Sequence, residues 1–113
     1  MASRKQSYID TPDGRYFVSR HRLWRNVNPN LVYSVRRKLV LDLMDVRAEL
    51  RDARGDVARI RQAKSRLQDT ETALGQRGEV WWTDGAPDYH RKLIVNTPYL
   101  DWWAELGTRK HGD

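Results

Sequence analysis

Hydrophobic residues in the middle of the chain recur at the spacing of an amphipathic helix. One face of that helix would consist of Leu39, Leu43, Val46, Leu50 and Ala53. Just upstream, Asn28 can cap free backbone N–H groups and Pro29 suits a first helical turn. The pattern therefore predicts a helix over residues 29–54.

A second amphipathic segment follows a short break. Gly55 favours a helix end, Asp56 favours a helix start, and Gly75 favours the next helix end. The apolar positions between them are Val57, Ile60, Ala63, Leu67, Thr70 and Leu74. We expect a helix over residues 57–74 that packs antiparallel against the first, because each apolar face then covers the other.

The same spacing also fits one continuous helix in a dimeric coiled coil, since the apolar positions run through the break without a change of phase. That arrangement would place Lys64 and Glu71 on the apolar seam. It would also place Gly55 in mid-helix, at a cost of roughly 1 kcal/mol. The hairpin is therefore favoured, although the pattern does not distinguish pairing within one chain from pairing between two.

The N-terminal residues divide into an arm and a hairpin. Residues 1–14 are basic and polar and end in the turn sequence TPDG, which indicates a mobile arm. Residues 15–27 contain two short β-prone runs, YFV and LW, which predict a small β-hairpin.

The C-terminal part is unusually aromatic, with four of the five tryptophans. An extended strap over residues 75–106, ending in a short helix, could close the open flank of the helices through Trp81, Trp82, Ile94, Val95 and Trp102. A mobile tail would follow at 107–113. The predicted fold is therefore mainly α: one domain over 15–113, built as an antiparallel two-helix hairpin with a small N-terminal β-hairpin and a Trp-rich C-terminal strap.

Composition excludes several classes of chemistry. The chain has no cysteine, and its three histidines, His21, His90 and His111, share no helical or strand spacing. We therefore expect no metal site and no cofactor. The sequence also shows no secretion signal and no apolar run long enough to span a bilayer, so we expect a cytoplasmic protein without membrane attachment.

Positive charge is concentrated before the strap. Up to residue 77 the chain has 17 Arg and Lys against nine Asp and Glu, whereas residues 78–113 have four against six. Candidate residues for phosphate contacts and base stacking are Arg20, Arg22, Trp24, Arg25, Arg36, Arg37 and Lys38. They predict a small non-catalytic binding or adaptor protein that contacts nucleic acid or another acidic macromolecule, with these cations on one exposed face. An ordinary solvated basic surface is the alternative.

A second group of candidate residues lies in the strap. It comprises Trp81, Trp82, Asp84, Asp88, His90, Arg91, Asn96 and Tyr99. One alternative function is a dimeric structural or regulatory protein that binds a protein partner through these tryptophans. A remote alternative is an enzyme using Asp84, Asp88 and His90 as acid and base, but Asp-Gly and Pro-Asp are also ordinary turn formers.

The strap also carries a resemblance. Its sequence GQRGEVWW, followed by DG, PD, Arg91 and NTPY, resembles the tail of a family of small bacterial proteins of unknown function. The similarity extends upstream through GRY, LWR, Asn28-Pro29 and Leu43-Met44. The family implies no activity. This chain departs from it at His21, where Gly is usual in the hairpin turn, and at His90, where Asn is usual.

Overall fold

The computed structural model describes the backbone of residues 8–112 and the side chains of residues 8–107. The strands are β1 (Ile9–Asp10), β2 (Tyr16–Ser19) and β3 (Arg22–Arg25), and the helices are α1 (Tyr33–Asp52), α2 (Val57–Leu74) and α3 (Leu100–Gly112), with a short 3₁₀ helix at Ile94–Asn96. About half of the chain is helical, so the class "mainly α" holds only loosely.

The described residues form two compact units. A helical unit comprises Val27–Gly85, and a sheet unit comprises the segments up to Asn26 and from Ala86 onward. The prediction of a single domain over 15–113 stays a prediction. No helix within the described residues is long and apolar enough to cross a bilayer.

In the helical unit, α1 and α2 pack as the predicted antiparallel hairpin. Asn28 N donates to Leu74 O at 2.8 Å, which brings the entry to α1 beside the end of α2. The buried residues of the hairpin are Leu43 and Val46 of α1, Ala53 directly after it, and Ala63, Thr70 and Leu74 of α2. Residues 53–56 turn the chain, with Gly55 at φ 85°, so the continuous-helix alternative is wrong.

The two helices differ in how well local signals place their ends. Helix α2 has the predicted bounds, because Asp56 caps its first turn by accepting from Arg59 N at 3.1 Å. Helix α1 begins at Tyr33 rather than Pro29. Asn28 does accept a hydrogen bond from Asn30 N, at 2.9 Å, but Val32 is extended at ψ 152°. The Asn28 side chain therefore stabilises a turn ahead of the helix.

The sheet unit contains the predicted hairpin and one further strand. Strands β2 and β3 pair antiparallel, and β1 adds to β2 with Ile9 opposite Val18. The Tyr8 ring stacks on Phe17, with 5.0 Å between the ring centroids. The end of the predicted mobile arm is therefore part of the sheet, and residues 1–7 of that arm lie outside the described residues.

The second half of the strap adds to the free edge of β3. Leu23 N donates to Lys92 O at 3.0 Å, Arg91 N donates to Leu23 O at 2.6 Å, and Ile94 N donates to His21 O at 2.9 Å. The predicted strap is divided between the two units, because Trp81 and Trp82 belong to the helical unit whereas Ile94, which is buried, and Val95, which is exposed, belong to the sheet unit. Helix α3 continues to Gly112, so residues 107–112 of the predicted mobile tail are helical.

Candidate functional site

Arg25 lies inside the sheet unit, with only 2% of the residue exposed. Its Nη2 donates to Asp88 Oδ2 at 2.6 Å. Tyr16 OH donates to Asp88 Oδ1 at 3.3 Å and accepts from Tyr89 N at 2.7 Å. Arg25 N donates to His90 Nδ1 at 2.9 Å. These contacts, which we call the Arg25–Asp88 clasp, attach the strap to β3.

The clasp shifts the ionisation of its members. Burial opposes ionisation of Asp88, but the hydrogen bond from His90 N and the Arg25 guanidinium together hold the pKa of that carboxyl below its ordinary value. Burial raises the pKa of Tyr16 to about 12, and the nearby Asp88 carboxylate adds to the effect. A carboxylate beside a buried guanidinium and a protonated phenol is electrostatically stable, so the clasp is a structural element.

A second polar contact joins the strap to the turn between β1 and β2, near Thr11. Tyr99 OH donates to Asp13 Oδ2 at 2.6 Å, and Thr11 Oγ1 donates to Asp13 Oδ1 at 2.7 Å. Burial raises the pKa of Tyr99, and the hydrogen bond to Asp13 raises it further. The Tyr99 ring also packs edge-on against Tyr16, at 5.7 Å between centroids. Tyr99 therefore holds the strap in place.

The structure divides the residues predicted in the strap. Asp88, His90, Arg91, Asn96 and Tyr99 belong to the sheet unit, whereas Trp81, Trp82 and Asp84 belong to the helical unit. Trp81 and Trp82 pack edge-to-face at 5.1 Å, and Trp82 is buried. Asn96 is exposed at the end of the 3₁₀ helix. The acid-base alternative gains no support, because Asp88 and the Nδ1 atom of His90 are engaged in the clasp.

Exposed cations gather at the other end of the hairpin. Arg20 lies in its two-residue turn and Arg22 directly follows the turn, while Arg91 and Lys92 come from the strap segment paired with β3. Arg22 Nη1 donates to Arg91 O at 2.8 Å, which joins the two segments. Within the described residues none of these four side chains forms an ion pair with a carboxylate. We call them the hairpin-tip cations.

The backbone at the hairpin tip is unusual. Arg20 and His21 have φ of 54° and 65°, the left-handed conformations of a two-residue type I′ turn, and Arg91 has φ of 73°. Within the described residues these are the positive-φ positions not occupied by glycine. Side chains other than glycine are strained there, and such strain is concentrated at functional sites in proteins.

Trp24 and Arg25 differ from their predicted roles. Trp24 is half-buried, its Nε1 donates to Ser19 O at 2.9 Å, and the Arg91 guanidinium carbon lies 5.7 Å from its ring centroid. Its face is therefore covered by Arg91 instead of being free for a base. Arg25 does not lie on an exposed face as predicted, because it is buried; period-two alternation in β3 places it on the same face as Leu23.

The remaining predicted cations lie in the helical unit. Arg36, Arg37 and Lys38 are exposed near the start of α1, and Lys38 Nζ pairs with Asp42 at 3.0 Å. Sequence reasoning placed Arg91 in a different cluster and missed Lys92. Local sequence contains no signal for either, because their approach to Arg22 depends on pairing with a strand almost 70 residues away.

Comparisons of the chain with protein-family models, with curated proteins and with solved structures found no match, so the resemblance to small bacterial proteins stays a prediction.

Proposed function

We propose that this protein is a non-catalytic nucleic-acid-binding module that contacts phosphates through the hairpin-tip cations. The observation that carries the proposal is the hydrogen bond from Arg22 to Arg91 O, which joins two distant segments that between them carry four exposed cations. Clustered Arg and Lys side chains are what binding to a phosphate backbone requires.

The charge distribution in the sheet unit also supports the hairpin tip as the binding surface. Asp13 follows β1 in the turn that precedes β2, at the opposite end of β2 from Arg20. The rise of about 3.3 Å per residue separates the two ends of β2 by roughly 10 Å. Asp88 is held by Arg25 at 2.6 Å, which offsets its charge. The carboxylates of Asp13 and Asp88 therefore offset little of the positive charge at the hairpin tip.

Fluorescence anisotropy of a labelled oligonucleotide at two salt concentrations tests this proposal. Four phosphate contacts on a single strand predict a slope of log K against log salt of about −3, or an affinity loss of about 50-fold between about 50 and 200 mM salt. The variant Arg20→Gln/Arg22→Gln should roughly halve that slope. Arg54→Gln/Arg61→Gln removes the same charge from the helical unit and is the matched control.

Two results would contradict the proposal. One is the absence of binding at low salt, and the other is an equal loss in both double variants, which would indicate a general charge effect. A third variant, Arg36→Gln/Arg37→Gln/Lys38→Gln, measures whether the start of α1 supplies a second contact. We expect it to weaken binding further, because cations at three consecutive exposed positions attract a polyanion more strongly than the two separated cations of the control.

Homodimerisation is a second candidate function, and one surface favours it. Tyr33, Leu41 and Met44 of α1 are 74%, 46% and 45% exposed, on the side away from the buried Leu43 and Val46. The test is light scattering during size-exclusion chromatography of the unmodified chain and of Leu41→Glu/Met44→Glu. A monomer mass for both proteins would exclude homodimerisation. The strap tryptophans give little support to binding of a protein partner, because Trp82 is buried and Trp81, Trp102 and Trp103 are partly buried.

A further inference from the structure

We infer that the hairpin tip selects single-stranded nucleic acid, by stacking one unpaired base on the Arg91 guanidinium where it lies over Trp24. The inference rests on the proposed function and names its substrate class. Guanidinium planes and indole rings both stack on bases, and a base face is accessible only where the base is unpaired.

Arg91 is held in position before any ligand binds. Its N donates to Leu23 O at 2.6 Å, and its O accepts from Arg22 Nη1 at 2.8 Å. Its left-handed φ of 73° directs the residue away from the path of an ordinary strand. Both backbone polar groups are thus anchored to β3, which reduces the backbone entropy that is lost when a ligand stacks on the side chain.

Trp24 supplies a fixed support beneath the guanidinium. Its Nε1 donates to Ser19 O at 2.9 Å, and the His90 ring packs edge-on against it at 5.9 Å between centroids. The Arg91 guanidinium carbon lies 5.7 Å from the ring centroid, within the range of a cation–π contact. Because Arg91 is exposed, a base can stack on the side of its guanidinium that faces away from Trp24.

The size of the hairpin tip favours a single strand as well. Four cations match about four phosphates, and a turn of two residues has neither a helix nor a long ribbon to place in a duplex groove. Duplex bases stack on one another and leave no face for Arg91. A flexible single strand can instead place one base on Arg91 and its flanking phosphates on Arg20, Arg22 and Lys92.

The test compares three ligands of equal length: a single strand, the same strand as a duplex, and an abasic strand that keeps the phosphates and lacks the bases. Each is titrated with the unmodified chain and with Arg91→Lys, which keeps the charge but lacks the planar group. Arg61→Lys in α2 is the matched control. Near-ultraviolet circular dichroism confirms that the variants fold alike.

We expect the unmodified chain to bind the single strand roughly 10-fold more tightly than the abasic strand. Arg91→Lys should lose most of that difference while its salt slope and its affinity for the abasic strand stay the same. Equal binding of the single and abasic strands, or a preference that survives in Arg91→Lys, would overturn the inference and leave the proposed function standing. Absence of binding to all three ligands would overturn the proposed function itself.

Discussion

Arg25 and Asp88 form an ion pair with 2.6 Å between Nη2 and Oδ2, in which the Arg25 side chain is 1% exposed and the Asp88 side chain 38%. A guanidinium buried without a carboxylate would carry a large desolvation cost. The pair therefore ties the strap to β3 and sets the position of the residues that follow, including Arg91.

Removal of the carboxylate should destabilise the protein. We expect Asp88→Ala to lose about 2 kcal/mol of unfolding free energy, less than the roughly 3–5 kcal/mol of a fully buried pair because Asp88 is partly solvated. Urea unfolding measures the loss. Glu49→Ala, which breaks the exposed pair with Arg59, is the control and should change stability little. Similar losses in the two variants would mean that the clasp contributes no more than a surface pair.

Stability should decrease in acid because of Asp88 and Asp13. Burial opposes ionisation of each carboxyl, but their hydrogen bonds lower both pKa values below the ordinary 3.8. The unfolded chain then binds protons first, so the stabilisation is complete above about pH 3.8 and is lost as pH falls through the folded pKa values. Urea midpoints across this range check the sign. Asp88→Asn should show a shallower acid decrease, and an unchanged slope would contradict the assignment.

Stability should also decrease in alkali because of Tyr16, whose pKa is raised by burial from 10.0 to about 12. The stabilisation is complete below pH 10 and is lost as pH rises toward 12, since the unfolded chain releases the phenolic proton first. Titration of phenolate absorbance should show two late-ionising tyrosines, Tyr16 and Tyr99, and Tyr16→Phe should lose one of them. If Tyr16→Phe retained the whole late fraction, another residue would account for it.

The hairpin turn should tolerate glycine better than the present residue. His21 has φ of 65°, a conformation that is strained for a side chain and free for glycine. We expect His21→Gly to raise the unfolding free energy by about 1 kcal/mol, measured by thermal and urea unfolding. Ser19→Gly in β2 is the control and should destabilise the hairpin. Nucleic-acid binding should persist in His21→Gly, because all four hairpin-tip cations remain.

Elements with strong local signals were predictable. Helix α2 has its predicted bounds because Asp56 and Gly75 act as caps within a few residues of the backbone groups they satisfy. The turn at Gly55 and the pairing of β2 with β3 are local in the same sense. Asn28 shows the limit of such signals: its side chain accepts a hydrogen bond from Asn30 N, yet the helix begins only at Tyr33.

The sequence by itself determined the helix over residues 57–74, the turn at Gly55 and the pairing of β2 with β3, because those features depend on neighbours within a few residues. Only the tertiary structure decided that Arg25 is a buried structural cation and that Arg91 joins Arg22. Both outcomes follow from the strap pairing with β3. That contact depends on backbone hydrogen bonds between segments almost 70 residues apart, which no local pattern of polar and apolar positions encodes.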